Sequence, residues 1–141
     1  MSGRADRDAG RVSVFLAISM LAIFMIIAVS YDGTRRLMAM QRAHNLAAEA
    51  ARTGGQAIDL GAAIDGGPKR LDVNAAIAAV NGYRAAAGVT GPTPVIEGDP
   101  PNQTITVTVQ FTYQPILLSA FGMGAVPIEG TATARPLTEE P

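Results

Sequence analysis

The spacing of hydrophobic and polar positions changes along this chain, and each spacing predicts a different element. From Val12 to Tyr31, twenty consecutive residues carry no charge, and most are Val, Ile, Leu, Phe, Met or Ala. At a rise of ~1.5 Å per residue, a helix of this length covers roughly the 30 Å hydrocarbon core of a bilayer. From Thr34 to Thr53 no Gly or Pro interrupts a stretch rich in Ala, Leu, Met, Arg and Gln, all good helix formers. Leu37, Met40, His44, Ala47 and Ala51 recur there at three- and four-residue spacing, which predicts a thin apolar stripe on one face. Together the two stretches predict one helical rod of about 60 Å. Gly33 is its soft point, and Gly54-Gly55 ends it.

The pattern then becomes shorter-ranged. Three glycines and a proline between Gly61 and Pro68 predict a loop. Asp72 reads as the N-cap of a second helix, Val73 to Ala87, closed by Gly88, with Val73, Ile77, Val80 and Ala87 on its buried side. After a turn at Gly91-Pro92-Thr93-Pro94, Val95 to Glu97 is a short strand candidate, and Asp99-Pro100-Pro101-Asn102 a strong turn. Thr104 to Tyr113 alternates strictly: Ile105, Val107, Val109, Phe111 and Tyr113 against Thr104, Thr106, Thr108, Gln110 and Thr112. That is period two over ten residues, a strand with one apolar and one polar face. Pro115 stops it, Ile116 to Phe121 reads as a short apolar turn, and Pro127 to Arg135 is a third strand with small inner residues Gly130, Ala132 and Ala134. Three strands need a cover in water, and the two helices supply it. The fold class predicted is therefore α+β: a long N-terminal transmembrane helix continuing into a domain with a second helix and a small antiparallel sheet. The corresponding segments are a tail at 1–11, a membrane helix at 12–31, a helical extension at 32–60, a small domain at 61–135 and a loose end at 136–141.

Three readings of the apolar run compete. A retained anchor fits its length. A cleaved secretory signal could use the small residues of Ala28-Val29-Ser30, but the run exceeds the ~7–15 residues of a usual signal core. A buried helix of a soluble protein would need a larger domain to surround it. Arg4, Arg7 and Arg11 precede the run, and Asp32, Arg35 and Arg36 follow it. The three leading arginines place the N-terminus in the cytoplasm and the bulk of the chain outside the membrane. Asp32-Gly33-Thr34-Arg35-Arg36 reads as a stop, where arginines meet lipid phosphates, or as charges that align neighbouring helices at a fixed depth.

Composition narrows the chemistry. The chain is 48% hydrophobic, but much of that lies in the anchor and in alanine runs, and there is no Trp. Beyond Tyr31, eight Lys and Arg face ten Asp and Glu, so no basic field favours nucleic acid. The absence of Cys excludes disulfides and thiol chemistry. His44 is the single histidine and reads as a packing or hydrogen-bonding side chain of the helix stripe. Asp59, Asp65, Asp72, Glu97, Asp99 and Glu129 show no paired spacing, and no phosphate-binding or dinucleotide motif occurs. Asp65-Gly66-Gly67 lacks the alternating acids and closing Glu of a calcium loop. These features predict a protein without catalytic residues, metal or cofactor, whose partners are the lipid bilayer and other proteins.

Several segments together resemble a known family. Arg11-Val12-Ser13-Val14-Phe15-Leu16-Ala17 opens the helix, Tyr31-Asp32-Gly33-Thr34-Arg35-Arg36 closes its apolar part, and Gln41 to Ala51 is an alanine-rich continuation. With the Thr/Val strand, the Pro115-Ile116-Leu117-Leu118 turn and the closing Ala132-Thr133-Ala134, this order is similar to TadE/TadG-like proteins of the Tad (Flp) type IV pilus system. The likeness covers both ends of the chain and leaves about Gly54 to Pro101 as a variable middle. It implies a pilin-like fold and a minor pilin-like or pseudopilin-like role in assembling or anchoring a pilus or secretion apparatus, with pilins and platform proteins as partners. Asp32, Arg35, Arg36 and Phe15 are the candidate assembly and anchor positions. Gly10 is where a prepilin cut would fall, but the fifth residue after it is Phe15, where prepilins carry Glu. That departure favours an uncleaved assembly factor over a processed filament subunit. A membrane-tethered binding module, such as an adhesin or sensor domain, is the alternative.

Overall fold

A computed structural model describes residues 5–68 and 70–136, without the side chains of residues 5–9, 62 and 63. Arg4 and the end of the loose tail lie outside the described residues. The elements in chain order are α1 (Ala5–Gly55), α2 (Leu60–Ile64), α3 (Val73–Ala87), β1 (Val95–Glu97), β2 (Thr104–Tyr113), a 3₁₀ turn (Leu118–Phe121) and β3 (Val126–Ala134). The chain divides into two compact units: Met1–Arg36 with Gln114–Ala125, and Leu37–Tyr113 with Val126–Pro141.

In the first unit, α1 passes through the whole apolar run, and the large side chains from Val12 to Tyr31 are 46–72% exposed. They are not covered by the rest of this chain, as the side chains of a core helix would be. The helix lies near the N-terminus and is long and apolar enough to cross a membrane. Among residues 10–31 only Ala28 is buried.

In the second unit, the three strands form one antiparallel sheet in the order β1-β2-β3. Ile105 pairs with Ala134 at one end of β2–β3 and Tyr113 with Val126 at the other. The alternation of β2 has the expected result: Ile105, Val107 and Val109 are fully buried, while Thr106 pairs with Thr133, and Thr108 with Thr131, through hydroxyl hydrogen bonds of 2.8 and 3.0 Å on the other face. The turn between β1 and β2 contains a cis Pro100–Pro101 peptide. α3 begins and ends where its capping residues dictate. Asp72 accepts a hydrogen bond from the Ala75 N–H at 3.0 Å, and Gly88 adopts the left-handed conformation with φ 66°.

Three expectations are corrected. The stretch from Gly61 to Pro68 is not all loop, because its start belongs to the short helix α2, Leu60–Ile64. The buried stripe of α1 is Ala43, Ala47, Ala50 and Ala51, whereas Leu37 is exposed at 63% and His44 also lies outside. Size decides this face. At Gly130 of β3 a Cβ would overlap the backbone of Ala43 and His44, and at Gly54 it would lie 2.7 Å from Ile105 Cδ1 and 2.8 Å from Val80 Cγ2. The backbone approach at Gly130 and the side-chain packing at Gly54 each leave no room for a Cβ. On α3 the buried residues are Ala76, Val80 and Arg84, one i, i+4 ridge, while Val73 is exposed and Ile77 and Ala87 are only partly covered. The resulting core joins Ala47, Ala50, Ala51, Leu71, Ala76, Val80, Val89, Ile105, Val107 and Val109.

Candidate functional site

Within the first unit, the apolar helix ends in a polar clasp. Asp32 follows the last apolar residue and is only 2% exposed. One carboxyl oxygen accepts the Ile116 N–H at 3.0 Å, and the other accepts the Leu118 N–H at 2.7 Å. Hydrogen bonds to a carboxylate contribute about 1.5–3 kcal/mol each. Asp32 therefore fixes the start of the 3₁₀ turn to the helix across a sequence separation of 84 residues. Pro115, buried just before the turn, has no N–H of its own to satisfy.

The other predicted positions are distributed along the same helix. Arg35 Nη1 donates to Tyr31 Oη at 3.2 Å, and its guanidinium lies 5.8 Å from the Tyr31 ring centroid. This arrangement holds the aromatic ring and the cation together at the boundary of the apolar run. Arg36 is exposed. Phe15 is 72% exposed, far along the helix from Asp32, and Gly10 is in open space. Thus Asp32 holds the Ile116 and Leu118 amides while Arg35 pairs with Tyr31, and Phe15 and Gly10 lie elsewhere on the helix.

His44, in the second unit, is exposed, with Nδ1 3.4 Å from the Thr131 carbonyl oxygen. Asp59 forms an ion pair with Arg70 at 2.7 Å. No group of three or more His, Asp or Glu among the described residues is placed to hold a metal.

Sequence reasoning passed over Arg84, which is 4% exposed. Its Nη1 donates to Pro92 O at 2.8 Å and Gly91 O at 3.4 Å, and its Nη2 donates to Thr108 O at 2.5 Å. Burial lowers its pKa from the ordinary value, because the charged form loses water. The reason for its place lies in the sheet. β1 pairs with Thr104–Thr106 of β2, and Thr90 bridges to Gln110 further along, so Thr108 falls between them without a strand neighbour on that side. The guanidinium fills this gap and supplies the donors a strand would have supplied. The one available sequence signal was spacing: Arg84 continues the Ala76, Val80 ridge by four residues.

Compared with protein-family models, with curated proteins and with solved structures, the chain has no match.

Proposed function

We propose that this protein is a membrane-anchored, minor pilin-like or pseudopilin-like component of a Tad (Flp) type IV pilus or related secretion apparatus, acting in assembly or anchoring. The observation that carries the reading is the division of labour along α1. Its first part exposes large apolar side chains to its surroundings, and its alanine-rich second part packs into the core of a small α+β unit. A helix built in this way is suited to hold a compact domain on a bilayer. The TadE/TadG-like order of segments gives that anchor its context. In this reading the N-terminus is cytoplasmic, the sheet-bearing unit lies outside the membrane, and the role is structural rather than catalytic. The absence of Glu at Phe15 favours retention of the full helix.

Intact mass of the protein recovered from membranes is the first test. Full length is expected. Loss of the first ten residues would indicate prepilin processing, and loss of about thirty would indicate a signal peptide. The second test is extraction of the tagged full-length protein in mild detergent. Copurification with a pilus ATPase or platform membrane protein is expected. Tight binding of a ligand by the protein alone, with no apparatus component attached, would refute the assembly role.

A further inference from the structure

Gln114–Ala125, which links β2 to β3 in sequence, contains no ionisable side chain in twelve residues. It exposes Ile116, Leu117, Phe121 and Met123. Five of its backbone N–H groups and the Ser119 hydroxyl are bonded within the unit, while the Gln114 side chain at its start is exposed. The N–H groups of Ile116 and Leu118 go to Asp32, that of Ala120 to Leu117 O, that of Gly122 to Ser119 O and that of Met123 to Leu118 O. The Ser119 hydroxyl donates to Ile116 O at 2.7 Å. Water-facing loops leave such groups to solvent. Apolar side chains outside, with the N–H groups from Ile116 to Met123 largely bonded within the unit, suit the edge of a hydrocarbon layer, where unpaired backbone groups are costly.

The level at which this lobe is held is also defined. Asp32 comes immediately after the twenty-residue apolar run, so it sits where a helix of that length leaves the hydrocarbon. Ala28, one turn deeper, is buried, whereas the large apolar residues of the run stay open. Arg35 and Arg36 follow within about one turn and are exposed, at the height where arginines meet lipid phosphates. Ile116 and Leu118 are thus held at the level of Asp32, where the apolar run ends, so the lobe's exposed apolar side chains start from the height at which the helix leaves the hydrocarbon.

We infer that Gln114–Ala125 is a membrane-dipping lobe, clasped to α1 by Asp32, that inserts Phe121, Met123 and their apolar neighbours among the acyl chains just below the headgroups of the leaflet at which α1 emerges. This rests on the reading of α1 as a membrane anchor. The occupant of the apolar surface is lipid, and the chain contacts the bilayer through two segments rather than one.

Because the chain has no Cys, single substitutions Ile18→Cys, Phe121→Cys and Met123→Cys each accept one environment-sensitive fluorophore. The full chain is reconstituted at high dilution in phosphatidylcholine vesicles containing lipids spin-labelled either near the headgroup or near the chain end, and aqueous iodide is used as the opposing quencher. The probe at position 18 should lose emission to the deep label. Probes at 121 and 123 should lose more emission to the shallow label than to the deep one, and resist iodide. Adding Asp32→Ala should move both lobe probes toward iodide quenching while leaving position 18 unchanged. Quenching at 18 by lipid, with 121 and 123 quenched only by iodide, overturns the lobe and leaves the anchor standing. Protection of 121 and 123 from both quenchers would mean that protein, such as a second copy, covers the lobe, and also overturns the proposal. Failure of the deep label to quench position 18 refutes the anchor itself, and the lobe with it.

Discussion

Two glycine-to-alanine substitutions in the same unit should act in opposite directions, and the pair tests the small-residue seam between α1 and β3. At Gly130, an added Cβ would overlap the carbonyl carbon and oxygen of Ala43 and the amide nitrogen of His44, all backbone atoms of a helix that cannot rotate aside. The helix must then move off the sheet. A gap of ~0.5–1 Å already forfeits a quarter to a half of each dispersion contact along the seam, and overpacking of this kind costs about 1–3 kcal/mol. At about 4–8 °C per kcal/mol for a domain of this size, Gly130→Ala should lower the unfolding temperature by about 4–24 °C. Gly82 lies inside α3, exposed, with no atom within 4 Å of its would-be Cβ. There Ala gains about 0.5–1 kcal/mol of helix preference, so Gly82→Ala should raise the unfolding temperature by a few degrees. Thermal unfolding of the full chain in detergent can be followed by tyrosine emission, since there is no Trp. Hydrogen exchange at Val107 and Val109 provides a second readout of the same core. A Gly130→Ala protein that unfolds at or above the wild-type temperature refutes the close helix–sheet approach. Equal losses from both substitutions would show that glycine flexibility, not space, is what these positions supply.

Asp32→Ala removes two charge-assisted hydrogen bonds and strands their donors, a local loss of about 3 kcal/mol; at 1.4 kcal/mol per decade, exchange of the Ile116 and Leu118 amides should accelerate roughly a hundredfold, and unchanged exchange would dismiss the clasp. Arg84→Ala leaves the Thr108, Gly91 and Pro92 carbonyls without their donor and should cost about 2–4 kcal/mol. Arg84→Lys should recover only part of that, since an ammonium cannot span the three oxygens as the guanidinium fork does; full recovery by Lys would refute the bridging role. Asp72→Ala removes the cap of α3 and should cost about 1 kcal/mol, read as an unfolding temperature lowered by several degrees; exchange should quicken first at Ala75, whose amide the side chain accepts.

The elements that were legible in the sequence are those whose cause is local. Strict alternation delimits β2 at Thr104 and Tyr113, and the capping residues Asp72 and Gly88 delimit α3. What escaped has causes that hydropathy does not record. The buried face of α1 is selected by smallness, and Ala43 reads as no more apolar than Ala39 and Ala48, which are only partly covered. α2 forms in a segment whose glycines predict loop. Arg84 is buried because a sheet edge has a gap, which no pattern within α3 announces. Asp32 carries the signature of a membrane stop, but its hydrogen-bond partners are backbone amides of distant residues, and backbone amides have no sequence identity. The apolar Ile116–Phe121 turn was visible as such, though not its attachment.

The seam between α1 and β3 also bears on the order in which the chain can fold. The His44 ring and the Thr131 carbonyl that it approaches are 87 positions apart, and β3 is the last strand among the described residues. During synthesis Ala43 emerges early and must wait for nearly the whole unit before Gly130 arrives against it. Contacts of such long range slow folding and leave intermediates open to association. A chain interrupted before Val126 should therefore keep Ala43 less protected in hydrogen exchange than Ala47, which packs with earlier residues of the core. The unit is completed from its C-terminal side, and its first helix is the surface that waits.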